Sequence, residues 1–84
     1  MLELRPSCEC CDKDLPPAAI DAMICSFECT FCAHCVENRL GGTCPNCGGG
    51  FVSRPVRPVN KLTGNPPSTN RVFNPASCGS AKVA

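Results

Sequence analysis

Apolar side chains in this chain come in short bursts, not in long periodic runs. Met23 to Phe27 alternates, with Met23, Cys25 and Phe27 on one face and Ile24 and Ser26 on the other, the period-two pattern of a strand. A hairpin from there into Thr30-Phe31 is expected. Residues 33–40 follow a different rhythm: Val36 and Leu40 stand four apart on one helical face, and Gly41-Gly42 supplies a C-terminal stop. This predicts one short helix of about two turns. Leu15-Pro16-Pro17 interrupts regular hydrogen bonding, and Ala18 to Ala22 reads as a helical turn or an irregular loop. Ile24, Phe27, Phe31, Val36 and Leu40 are the expected core, with Leu2 and Leu4 of the lead-in packed against it.

Gly48-Gly49-Gly50 closes this patterned region. From Phe51 onward five prolines (Pro55, Pro58, Pro66, Pro67 and Pro75) alternate with Arg, Asn, Ser and Gly, a composition that buries too little surface to offset its ordering entropy. The division expected is a module over 1–52 and a Pro-rich, basic, flexible tail over 53–84, disordered from about residue 60. The stretch from Arg54 to Val59 is expected to fold back along the module in extended form.

Composition sharpens the problem of stability. In 84 residues there is no Trp or Tyr and there are four Phe, against nine Pro and seven Gly. A core that thin needs covalent or metal cross-links. The chain has ten cysteines, and eight of them are spaced in a telling way. They run Cys8-x2-Cys11, then Cys25-x3-Cys29-x2-Cys32-x2-Cys35, then Cys44-x2-Cys47. A C-x-x-C turn can point two thiolates at one ion, and two such turns complete a tetrahedron with metal–sulfur bonds of about 2.3 Å.

Zinc, iron (Cys44-Pro45-Asn46-Cys47-Gly48 suits a rubredoxin-type knuckle) and plain disulfides are all compatible with the count. The N-terminus shows no charged region followed by an apolar stretch, and no apolar run is long enough for a membrane span. The expectation is therefore a cytoplasmic chain with reduced thiols, not associated with membranes and holding two zinc ions on Cys8, Cys11, Cys25, Cys29, Cys32, Cys35, Cys44 and Cys47. Sequential pairing would join Cys8, Cys11, Cys25 and Cys29. A cross-brace would join Cys8, Cys11, Cys32 and Cys35 on one ion and Cys25, Cys29, Cys44 and Cys47 on the other. The close succession from Cys25 to Cys35 favours the cross-brace, because one strand-to-helix turn can send thiolates alternately to two centres.

This spacing resembles the RING finger, including its C-P-x-C ending at Cys44-Pro45-Asn46-Cys47 and a helix between the sixth and seventh ligands. Cys29 stands where most RING fingers use His. The resemblance covers residues 8–47 and implies a small, metal-stabilised α+β fold: a RING-like treble-clef cross-brace with two zincs, one short helix and a short β-hairpin. The whole chain also resembles a small bacterial cysteine-rich family of unknown function. The residues that carry this likeness are Met1-Leu-Glu-Leu-Arg-Pro-Ser-Cys-Glu-Cys-Cys-Asp, Cys25-Ser-Phe-Glu-Cys-Thr-Phe-Cys and Cys44-Pro-Asn-Cys-Gly-Gly-Gly-Phe. That family implies no activity.

The formal charge of +1 hides two halves: all seven acids lie in residues 1–37, and five of the eight bases follow Cys47. Ligating thiols are deprotonated, so eight thiolates with two divalent ions lower the formal charge by four. Outside the eight ligands, Cys10 reads as a spare thiol, Cys78 as a free thiol in the tail and His34 as a solvent-facing residue. Asp12 and Asp14 read as a solvated acidic loop.

No nucleophile–base set or phosphate loop is visible, and a four-thiolate zinc has no open position for water. A non-catalytic protein-interaction or adaptor module is the expected function, its surface drawn from the edges of Phe27, Phe31, Val36 and Leu40. A nucleic-acid-binding finger using the basic tail is the alternative. A ubiquitin ligase is disfavoured, because Gly48 follows Cys47 where active RING ligases usually carry Arg or Lys.

Overall fold

A computed structural model describes residues 2–77. Strand β1 (Ala22–Ile24) pairs antiparallel with β2 (Thr30–Cys32), Met23 facing Phe31 across the ladder. On its other edge β1 pairs antiparallel with β3 (Val52–Ser53), Ile24 opposite Val52, which gives the sheet order β2-β1-β3. β2 runs directly into helix α1 (Ala33–Asn38). The result is a small α+β fold with the expected hairpin and helix.

The strand ends earlier than its alternation predicts. The Cys25 amide donates to the Cys29 carbonyl at 3.2 Å, and Glu28 donates to the Cys25 carbonyl at 3.0 Å with a left-handed φ of 63°. This turn takes Cys25 to Glu28 out of the ladder. Phe27 therefore does not join the core, as its parity predicted, but stands on the turn 74% exposed, while Ala22 and Ile24 form the buried face of β1. Needs of the cysteine turn override local strand pattern here.

Helix α1 buries Cys35 and Val36, and Leu40 is buried just beyond its end. The Gly42 amide donates to the Val36 carbonyl at 2.9 Å, with φ of 61° and 80° at Gly41 and Gly42. That closure, reaching back six residues, needs left-handed residues, which glycine adopts at little cost. Phe31 is fully buried at the centre, and its ring meets Phe51 edge-on at 5.5 Å and 83°. Leu15, Val36, Leu40 and the cysteines surround it, and Leu4 is buried too. The core is thus as much sulfur as hydrocarbon.

The segment after residue 52 carries a second short helix, α2 (Val59–Leu62), and a 3-10 turn at Pro75–Ser77. It runs back along the N-terminal lead-in. The Arg54 amide donates to the Ala22 carbonyl, Ser68 to Leu4 and Asn74 to Glu9, at 2.8, 2.9 and 2.8 Å. Arginines do the rest. Arg57 donates to the carbonyls of Leu2 and Asn65 at 2.8 and 2.7 Å, and Arg71 pairs with Asp12 and Asp14 at 3.2 and 2.8 Å. Arg54 is 3% exposed and donates to the carbonyls of Arg5, Leu15 and Pro16. The part of the expected tail over 78–84, with Cys78 and Lys82, lies outside the described residues.

Candidate metal centre

The two C-x-x-C segments fold alike. In the first, the Asp12 amide donates to the Cys8 carbonyl at 2.9 Å; in the last, Gly48 donates to Cys44 at 2.9 Å. Both closing residues are left-handed, at φ 63° and 78°. Such turns leave backbone amides aimed at sulfur. Asn46 donates to Cys44 Sγ at 3.4 Å and Gly49 to Cys47 Sγ at 3.4 Å, and in the separate turn after β1 Phe27 donates to Cys25 Sγ at 3.3 Å. Amides aimed at a sulfur favour the thiolate, the form that binds metal.

Tertiary structure sorts these sulfurs into two groups. Cys8, Cys11, Cys32 and Cys35 lie with all four Sγ atoms within 4.8 Å of one another, and Cys25, Cys44 and Cys47 do the same with three. Cys25 lies between Cys11 and Cys32 in sequence yet groups with Cys44 and Cys47, so the pairing alternates and the sequential arrangement is not the one formed. Cys11 and Cys32 sulfurs are 3.8 Å apart. A tetrahedron with bonds of about 2.3 Å has edges of about 3.8 Å, so the first group fits a single ion of that size. Three of its cysteines are buried and Cys11 is exposed. Both clusters could hold a metal ion.

Cys29, expected as the fourth ligand of the second group, stands outside the mutual distance of the other three. It is buried, and its sulfur accepts a hydrogen bond from Asn46 Nδ2 at 3.5 Å. Asn46 Nδ2 also donates to Oε2 of Glu9 at 2.9 Å. Glu9, an acid within the first knuckle, is itself buried. Neither residue carried a sequence signal for this role, since polarity and knuckle position say nothing about long-range burial.

Without metal the thiols differ sharply. Burial pushes Cys44 up to about 12 and raises Cys35 further, with the neighbouring Cys32 sulfur adding to the latter. Burial likewise raises Cys8 and Cys25. At Cys11 burial is outweighed by the Lys13 amide and the neighbouring sulfurs, and the thiol is lowered. Cys47 is lowered to about 7 by the Gly49 amide.

The remaining candidates separate cleanly. Cys10 is buried and its sulfur is engaged in a disulfide, so it is not the spare thiol that its position suggested. His34 is exposed on α1 and belongs to neither cluster. Asp12 and Asp14 form the solvated acidic loop expected, and both pair at the surface with Arg71. Among the described residues no helix is long and apolar enough to cross a membrane.

No solved structure matches this chain. Over all 84 residues of both proteins it is 63% identical to "Uncharacterized protein R02474" of Rhizobium meliloti (strain 1021). Residues 1–57, two thirds of the chain, match the family described as "Protein of unknown function (DUF1272)". Family membership accords with the bacterial, cysteine-rich likeness read from the knuckles: the chain belongs to DUF1272.

Proposed function

We propose that this chain is a non-catalytic zinc module of RING-like treble-clef cross-brace form, held by two ions and presenting a surface to a protein partner. The observation that carries it is the convergence of Cys8, Cys11, Cys32 and Cys35 from two distant segments, with all four sulfurs within 4.8 Å of one another and Cys11 and Cys32 at 3.8 Å. An all-thiolate donor set suits zinc, and four such ligands leave no position for a reacting water. The ions then serve folding, which this thin core needs. A cytoplasmic setting belongs to this reading, and the Cys10 disulfide is the observation that stands against it.

Exposure redraws the interaction surface. Phe31, Val36 and Leu40 are buried, whereas Phe27 and Val52 are 74% and 64% exposed at the same end of the sheet. Those two apolar side chains are the better contact points for a partner. The nucleic-acid alternative loses support, because Arg54, Arg57 and Arg71 are occupied by backbone carbonyls or carboxylates within the chain. A ligase role loses support too, since Gly48 holds a left-handed φ of 78° that an Arg or Lys would adopt only with strain.

Native mass spectrometry of the zinc-loaded chain, with cobalt substitution for spectroscopy, tests the metal reading. Two ions per chain and tetrahedral thiolate bands are expected; a metal-free chain whose ten cysteines are all in disulfides would end it. For the partner, a photo-crosslinking residue at position 27 should give a discrete adduct in cells and one at position 34 none. Equal labelling at both positions would remove the interaction role while leaving the ion count standing.

A further inference from the structure

The second sulfur group has three members in place, and the residue expected to complete it is held elsewhere by a side chain. Three segments meet at that point. Glu9 comes from the first knuckle, between Cys8 and Cys11, and its amide donates to the Thr30 carbonyl at 2.9 Å, beside Cys29. Asn46 comes from the last knuckle, where its own amide already donates to Cys44 Sγ. Its side-chain nitrogen has two hydrogens, and they go to the Glu9 carboxylate and the Cys29 sulfur at 2.9 and 3.5 Å. Both acceptors lack hydrogens to offer in their charged forms, so only the amide nitrogen satisfies both.

We propose that Glu9 and Asn46 are a ligand-positioning pair for the second metal centre. The buried Glu9 carboxylate anchors the Asn46 amide, and the amide holds the Cys29 sulfur outside the group of three, from where it closes the tetrahedron with Cys25, Cys44 and Cys47 when an ion binds. Partners that orient metal ligands in this way are worth about 10–100-fold in metal affinity. The pair also links the two centres. Glu9 lies within the first knuckle, between Cys8 and Cys11, so an ion that rigidifies that knuckle also steadies the fourth ligand of the second centre. This inference rests on the two-ion reading above.

The test uses the full chain loaded with cadmium-113, followed by nuclear magnetic resonance and by competition with a graded chelator. The parent should show two all-thiolate cadmium resonances. Asn46→Ala and Glu9→Val should keep the first resonance, lose or shift the second toward a three-sulfur position, weaken the second ion about 10–100-fold and expose Cys29 to alkylation. Glu9→Gln keeps an acceptor for the amide and should retain both resonances, which a general loss of stability would not allow. Two unshifted resonances and parent-like affinity in Asn46→Ala and Glu9→Val would overturn the positioning pair alone. A parent that binds fewer than two cadmium ions would instead overturn the two-centre reading on which the pair depends.

Discussion

Arg54 is a charged side chain almost wholly withdrawn from water, and among the described residues no carboxylate forms an ion pair with it. Its two terminal nitrogens instead hold three backbone carbonyls, from Arg5, Leu15 and Pro16, and so fasten the lead-in and the first loop to the end of β3. Burial lowers its affinity for a proton, but a guanidinium remains charged throughout the useful pH range. Removing one buried donor orphans several acceptors together. Arg54→Met should therefore cost about 2–4 kcal/mol in the metal-loaded chain, and Arg54→Lys should recover little, since one ammonium lacks the planar fork. An unfolding midpoint that barely moves in denaturant would refute this.

Cysteine chemistry gives a second test at the same scale. Cys10 should react with an alkylating agent only after a reductant is added. The clustered thiols should react only after a chelator is added. Peptide mapping after each treatment separates the two kinds of protection, and Cys10 labelling in the untreated chain would contradict the disulfide.

At the scale of elements, the hairpin and helix matter because of where they deliver sulfur. β2 ends at Cys32 and α1 begins at Ala33, so Cys32 and Cys35 flank the helix start and face the first knuckle. The helix has no side-chain cap and is only six residues long, far below the length at which a helix persists alone. Its stability comes from burial of Val36 and Cys35 and from the ion that Cys35 would hold. If Glu9 and Asn46 couple the centres, loss of ligands should be asymmetric. Replacing Cys8 and Cys11 by Ser should weaken both ions, whereas replacing Cys44 and Cys47 should release the second and leave the first. Equal and independent losses, measured by chelator competition, would argue that the centres do not communicate.

For the molecule as a whole, metal ions on the two cysteine clusters would answer the same need as the hydrocarbon core. A structural zinc site contributes about 10–16 kcal/mol of apparent binding free energy at neutral pH, more than the margin of an ordinary small domain. Chelation is therefore expected to abolish the fold, read as loss of the circular dichroism signal together with both ions. The pH dependence has a definite sign. Burial raises Cys8, Cys25, Cys35 and Cys44, with Cys44 near 12, so an ion must displace protons from thiols that would otherwise keep them. In the loaded state those sulfurs are held as thiolates below the ordinary thiol range of about 8.5, and the stability this confers is lost as pH falls. Loaded protein should release metal steeply between about pH 7 and 5, with proton uptake seen by calorimetry. A flat release profile across that range would count against thiolate ligation.

Much of this was legible in the residues. The C-x-x-C spacing names most of the clustered sulfurs, Val36 and Leu40 mark the helix, and Gly41-Gly42 ends it, because these are local rules acting over a few residues. The alternation at Met23 to Phe27 misplaced Phe27 because a cysteine turn overrode strand parity. Nothing in the sequence showed that Glu9 would be buried against Asn46, that Cys29 would rest on that amide, or that Arg54 would hold three carbonyls. Those contacts join positions 17 to 49 residues apart. The sequence by itself therefore determined the donor atoms, the short elements and the need for cross-links, all of which depend on near neighbours. Only the tertiary structure decided which sulfurs share a centre and which polar groups are buried beside them, because those follow from how distant segments pack.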